Sequence, residues 1–382
     1  MIEQIIKKIK LCLPKKYKQL NVHEPIFEEK DITYLKNCID SSYVSTEGKY
    51  IDKFTENLKK ITNSRNILLT SSGTSALFLS LKTIDVDTCE VLMPSMTFVA
   101  TPNSVMHANG IPHFIDSSKN SLNINAFELE EYLKKITVIR KNKCINNSTG
   151  RVIKAIIVVH AYGEPADIIK ISRVAKKYNI EVLEDGAGAL GTYQNSKHIG
   201  LHSRFAIISF NGNKIITTGM GGAILFKQKK DYDSVKHLIS TARLKHNWKV
   251  EHNMVGYNLR MANINAALGY GQLKRIQKTL REKKILYNKY KNIFKNNKYC
   301  FLHKYDEKNK PNHWVTNLYL KNEYKKFHQQ LIQSLHNENI IVRELWKPQH
   351  MNNMYKCMPK STMANAINHW KTGISLPSSY YK

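Results

Sequence analysis

From residue 66 onward, short runs that are apolar at nearly every position alternate with longer stretches whose apolar residues return every three or four positions. The runs are NILLT (66–70), CEVLMP (89–94), IPHFID (111–116), IKAIIVVH (153–160), IEVLED (180–185), FAIISF (205–210) and GAILF (222–226). Runs without polar alternation suit strands covered on both faces. The helical periods between them, in SSGTSALFLSLKTI, from CEVLMP through about Asn109, and from Ala166 to Tyr178, suit the crossovers of a mostly parallel sheet. The fold class predicted is α/β.

Beyond residue 250 the texture changes. INAALGYGQLKRIQKTLREKKILYNKYKNIF (264–294) reads as one long helix, followed by strand-like HWVTNLYL and helix-like EYKKFHQQLIQSLHNE. The pattern predicts an amphipathic N-terminal segment over 1–20, with Ile5, Ile6, Ile9 and Leu13 on one side. A large domain over 21–250 and a smaller α+β domain over 251–382 follow. VIRKNKCINNSTGRV (138–152) is polar, basic and unpatterned, and is expected to be a surface excursion of the large domain.

Composition narrows the class further. No stretch of the 382 residues approaches the roughly 20 apolar positions of a spanning helix, and the N-terminus lacks the apolar core of a secretory signal. A cytoplasmic location without a membrane partner is expected. Six cysteines, at 12, 38, 89, 144, 300 and 357, include no C-x-x-C pair and are read as reduced thiols. Lys plus Arg number 59 against 30 Asp plus Glu, a net charge of +29. Such an excess attracts polyanions, but it is spread along the chain without a compact basic tract, so no specific nucleic acid partner is expected.

Candidate chemistry sits at the strand ends, where open α/β sheets bind ligands and helix N-termini offer unpaired N–H groups. SSGTSA (71–76) carries small residues that let an anion approach the backbone, and Thr74 adds a hydroxyl; a plain capped helix start has the same composition. Glu184 and Asp185 end a buried strand, where an acid needs a cationic partner to stay ionised. An N-cap is the other reading of Asp185. No His, Cys and Asp cluster at ligand spacing lies nearby, so no metal is expected. Lys214, in SFNGNKIITTGMGGAILF, stands between an apolar strand and a Gly-rich turn. It is a phosphate contact, a solvated loop residue, or an amine awaiting a carbonyl, for which desolvation prepares a lysine. A phosphate cradle, a strand-end carboxylate and a later lysine together form the protein half of a pyridoxal phosphate site.

SSGTSAL, PSMTFVATPNSV, HAYGEPADI, EVLEDGAGALG, SFNGNK, TTGMGGAI, GYNLRMANINAALG and LPSS occur in this order. With them, nearly the whole chain resembles the DegT/DnrJ/EryC1/StrS sugar-nucleotide aminotransferase family of fold-type I pyridoxal phosphate enzymes. NVHEP, VSTEGKYIDKF, TGRVIKAIIVVH and KHNW are most similar to a subgroup that aminates UDP-linked 4-keto-6-deoxy sugars for legionaminic-acid-like or bacillosamine-like products. The resemblance implies pyridoxal phosphate as cofactor, L-glutamate as amino donor, a sugar nucleotide as acceptor, and a homodimer with shared active sites.

It also implies roles. Lys214 is expected to take the cofactor carbonyl and to move the substrate proton, with Asp185 holding the pyridinium nitrogen. Phe98 is expected to stack on the ring. Gly73, Thr74 and Ser209 bind the cofactor phosphate, which Asn258 reaches from a neighbouring subunit. Arg260 and His350 match positions near the sugar nucleotide, as does the loop of Tyr43, Ser45 and Thr46. Two departures stand out: Gly188 replaces the family's usual Gln, Glu or His, which predicts a looser cofactor, and the chain stops at Lys382 where relatives add a closing helix, which predicts an exposed apolar face. A non-catalytic scaffold or sensor, and a GDP- or dTDP-sugar 3- or 4-aminotransferase, are the alternative readings.

Overall fold

The computed structural model describes residues 1–306 and 308–379. Its large sheet has seven strands: β1 (Asn66–Thr70), β2 (Glu90–Pro94), β3 (Ile111–Ile115), β4 (Ile153–Val159), β5 (Glu181–Asp185), β6 (Phe205–Ser209) and β7 (Gly222–Phe226). Their order across the sheet is β1-β7-β6-β5-β4-β2-β3. Only β7 runs antiparallel to its neighbours; every other pairing is parallel. Strands β2, β6 and β7 are buried at every position, which is why their sequences show no polar alternation. The register pairs Val159 and Ile207 with Asp185, so the carboxyl ends of β4, β5 and β6 share one edge.

Two elements differ from their sequence patterns. Residues 264–294 form two helices, Asn263–Lys274 and Ile276–Ile293, broken at Arg275. The Arg275 guanidinium binds both carboxylate oxygens of buried Asp31 and the Ile26 carbonyl. That bidentate anchor holds the backbone at φ −107° and ψ 12°, outside the helical basin. The excursion 138–152 contains an antiparallel hairpin, Thr137–Arg140 with Lys143–Asn146. Its polar residues have a partner in the fold: Asn146 Nδ2, Thr149 Oγ1 and Arg151 Nε all donate to the carboxylate of Glu90, which is fully buried. Burial alone would raise the pKa of Glu90, but the hydrogen bonds from His113, Asn146 and Thr149 outweigh it and hold the group at about 2.

The C-terminal half closes on a smaller antiparallel sheet of Cys300–Leu302, Thr316–Leu320, Gly373–Leu376 and Arg343–Glu344. The N-terminal helix Ile2–Lys10 lays Ile5, Ile6 and Ile9 into the core of this sheet, beside Leu318, Leu335 and Leu376. The helix Asn263–Lys274 instead shares the large core, with Ala266, Ala267 and Leu273 packed near Phe54 and Phe210. After the last strand the chain stays packed through Ser378 and Ser379, both buried. Buried Lys283 donates to the carbonyls of Ser378 and Trp314, and desolvation lowers its pKa to about 7. Tyr380 to Lys382, where a shortened end was expected, lie outside the described residues. Among the described residues, no helix is long and apolar enough to cross a membrane, and no group of three or more His, Cys, Asp or Glu is placed to hold a metal ion.

Candidate active site

A cavity of about 350 Å³ opens at the shared strand edge, within the size range of small-molecule sites. Six of the predicted site residues line it, Gly73, Thr74, Phe98, Asp185, Ser209 and Lys214, and so does Gly188. Asn258, Arg260, His350 and the loop residues Tyr43, Ser45 and Thr46 do not.

The cradle is built where β1 meets the helix Gly73–Ile84. Ser72 caps that helix, its Oγ accepting the Ser75 N–H at 3.0 Å, while the earlier N–H groups of the first turn have no partner within the helix. A Cβ added at Gly73 would stand 2.9 Å from Ser209 Cβ. Glycine therefore lets the helix start against the end of β6, and Gly73, Thr74 and Ser209 line one space. That geometry fits a phosphate held by backbone and hydroxyl groups.

Asp185 is buried at the end of β5. Thr101 donates to its Oδ2 at 2.8 Å and the Ala187 N–H to its Oδ1 at 3.1 Å, so the carboxylate is fixed in direction. Thr97 and Thr101 are themselves hydrogen-bonded at 2.8 Å. The preceding residue, Glu184, points away from the cavity. It accepts from Gly200 N, Ser203 N and Ser203 Oγ and pairs with His160 Nε2. His160 Nδ1 accepts the Ala166 N–H, which assigns the ring proton to Nε2.

Lys214 belongs to the loop after β6. Ile215 and Ile216 are buried, and Gln272 clamps the loop by accepting the Thr217 N–H and donating to the Thr217 carbonyl. The Lys214 side chain, half-buried along its length, turns into the cavity, where Nζ stands 3.9 Å from the ring centroid of Trp314. Desolvation pushes its pKa down to about 8, against the opposite pull of the Asp185 charge. Phe98 is 56% exposed at the cavity mouth.

The remaining site candidates lie around this cavity. Asn258 is exposed, its backbone bridged to Ser240. Arg260 is bridged to Thr70 beside the cradle, and its Nε is buried without a hydrogen-bond partner among the described residues. His350 is half-buried, with Nδ1 at 2.7 Å from Ser95 Oγ, two residues before cavity-lining Thr97, and burial lowers its pKa. Thr46 sits in the exposed loop 41–48. Asn263 latches that loop through the Tyr43 carbonyl, the Ser45 carbonyl and the Tyr50 N–H.

Sequence reasoning missed the aromatic wall of Tyr162, Trp314 and Trp346. It also missed Thr101, which stands in the first turn of the helix Ala100–His107, with its hydroxyl on Asp185. Gly188 has a partner in that wall. A Cβ there would lie 2.4 Å from Trp314 Cε3, so the indole fills the room that a side chain at 188 would take. Gly188→Ala is expected to cost about 1–3 kcal/mol by overpacking, seen as a lower urea midpoint at unchanged m-value. In a double-mutant cycle with Trp314→Ala that cost should disappear; an equal cost in both backgrounds would place the clash elsewhere.

Residues 25–380 match the model of the DegT/DnrJ/EryC1/StrS aminotransferase family. The chain belongs to that family. It is a pyridoxal-phosphate-dependent sugar-nucleotide aminotransferase. It is 31% identical over 363 residues to the GDP-perosamine synthase of Escherichia coli O157:H7, covering 94% of this chain and 93% of that protein. It is also 31% identical over 352 residues to a UDP-4-amino-4,6-dideoxy-N-acetyl-beta-L-altrosamine transaminase of Campylobacter jejuni, covering 92% of this chain and 90% of the relative. Among solved structures, a Helicobacter pylori aminotransferase involved in the biosynthesis of pseudoaminic acid shares the fold, with a TM-score of 0.86 at 24% identity. The match covers 95% of this chain and 94% of that one.

Proposed function

We propose that the protein moves an amino group from L-glutamate to C4 of a UDP-linked, N-acetylated 4-keto-6-deoxy sugar, for nonulosonic acid or surface-glycan synthesis. The observation that carries this reading is that Asp185, Lys214 and the Gly73, Thr74 and Ser209 cradle face one cavity. The Campylobacter relative, named for a 4-amino-4,6-dideoxy UDP sugar, supports the acceptor. The GDP-perosamine synthases, at equal identity, favour a GDP-linked acceptor as the second reading.

In this reading Gly73, Thr74 and Ser209 would hold the cofactor phosphate, with Phe98 and Asp185 holding its ring. Bound pyridoxal phosphate supplies an electron sink for charge developing at the substrate carbon. Asp185, its two oxygens already fixed by Thr101 and Ala187, presents a preorganised negative charge and needs no reorientation. Lys214 Nζ, with its pKa lowered to about 8, exchanges a proton near neutral pH, as general acid and base at the substrate carbon require. Phe98 at the mouth and the indole of Trp314 inside form part of the wall around Nζ.

We assign the division of labour to a cofactor-binding domain over 21–250 and a C-terminal domain over 251–382. A homodimer completes each site: Trp248, Val255 and Phe98 are 78%, 86% and 56% exposed, apolar surface suited to a second copy, and Asn258 stands exposed on the same stretch as Trp248 and Val255. Arg260, His350 and Thr46 surround the sugar-nucleotide path in that assembly.

An absorbance spectrum of the protein with pyridoxal phosphate, before and after L-glutamate, tests the donor half. The long-wavelength cofactor band should give way to the pyridoxamine form; no band with wild-type protein would remove Lys214 from its assigned role. UDP- and GDP-linked 4-keto-6-deoxy sugars, compared by kcat/KM, then separate the two acceptors.

A further inference from the structure

We propose that Trp314 is the positioning residue for Lys214: its indole face is a fixed seat for the Nζ ammonium whenever the lysine is free of cofactor, and Gly188 makes room for that seat. The proposal rests on the reading of Lys214 as the cofactor lysine, and deepens it.

The seat is held from every side. Trp314 is 5% exposed. Its Nε1–H donates at 2.7 Å to the carbonyl of Asn213, the residue immediately before Lys214, so the ring is tied to the backbone that carries the lysine. The Trp314 N–H donates to Asn312 Oδ1 at 2.9 Å, and the Asn312 amide donates to the carbonyls of Gly188 and Leu190, each at 2.9 Å. The Trp314 carbonyl accepts from Lys283 Nζ at 3.1 Å. One edge of the ring lies where a Cβ at position 188 would be, and Tyr162 stacks at 6.1 Å and 27°, with Trp346 stacked in turn on Tyr162 at 4.0 Å. A ring so constrained cannot follow the lysine, so the lysine must follow the ring.

Lys214 Nζ at 3.9 Å from the ring centroid is within the range of a cation–π contact. The contact has direction, since only the negative ring face attracts the ammonium, and it stabilises the protonated amine inside a space that otherwise disfavours charge. The charged group facing Nζ is Asp185, which also favours the protonated form; His23, near both Lys214 and Lys283, is kept neutral by burial, and Lys283 stands at the Trp314 carbonyl. Trp314 enters from the segment just before the Thr316–Leu320 strand of the smaller sheet, so that sheet takes part in placing a lysine from the large one.

The test keeps the shape of the ring and changes only its face. Tetrafluorinated tryptophan is placed at position 314 of the full chain, the cofactor is removed, and the rate of Lys214 amidination is followed against pH by peptide mass spectrometry. Loss of the negative ring face should lower the apparent pKa of Lys214 by about one unit. An unchanged titration would overturn the proposal, because a ring that merely fills space has no preference for charge. Absence of a cofactor band in the wild-type spectrum would instead remove the underlying role of Lys214, a failure the titration reads separately.

Discussion

Replacing Lys214 with Ala is expected to lower turnover by about 10⁴-fold or more, the scale of losing a positioned acid–base and nucleophilic group at once. The fold should survive, because the loop is held by buried Ile215 and Ile216 and by the Gln272 clamp on Thr217, none of which involves the lysine side chain. Stability should then separate the two proteins by pH. The folded-state pKa of Lys214, about 8, lies below its ordinary value of 10.5. Between those values the unfolded chain binds more protons, so cofactor-free wild type gains stability as pH rises through the window. Lys214→Ala lacks that rise. Sugar amination by Lys214→Ala at the wild-type rate would refute the assigned role, whatever its stability profile.

The second large effect lies one residue from the site. Glu184→Ala is expected to destabilise the protein by about 3–5 kcal/mol, the range for breaking a buried, hydrogen-bonded ionic group. It leaves Gly200 N, Ser203 N and His160 Nε2 without their acceptor. Burial by itself would raise the pKa of Glu184; the hydrogen bond from His160, with those from Ser203 and Gly200, reverses that and holds it at about 2. Because the folded pKa lies below the ordinary value of 4.5, the stabilisation is full above that value and is lost as pH falls toward 2. Glu90 acts in the same direction and window. Urea midpoints measured from pH 5 to 2 should therefore fall more steeply for wild type than for Glu184→Ala; equal slopes would mean that Glu184 is not the ionised anchor of the 200–203 turn.

The positions of Glu184 and Asp185 illustrate what is local in this protein. Alternation along β5 sends adjacent carboxylates to opposite faces of the sheet, one to the anchor of a turn and one to the cavity. Their placement at a strand end follows from the apolar run IEVLED, since a strand buried on both faces can carry acids only at its edge.

All seven strands of the large sheet, the helix that opens the cradle and the loop of Lys214 were legible for the same reason. Burial on both faces and helical amphipathicity write their periods directly into neighbouring residues. Features decided by distant contacts were not legible. The break at Arg275 depends on Asp31, the hairpin at 137–146 presents its polar groups to Glu90, and the loop 41–48 is latched by Asn263. Gly188 looked like a missing contact in the sequence, yet its space is filled by Trp314 from a remote segment. The chain alone therefore determined the sheet's strands and the residues at their ends, because each is set by the solvent exposure of a few adjacent positions. Tertiary structure decided which of those residues share a cavity, and what seats the lysine, because those outcomes depend on segments that meet only when the chain is folded.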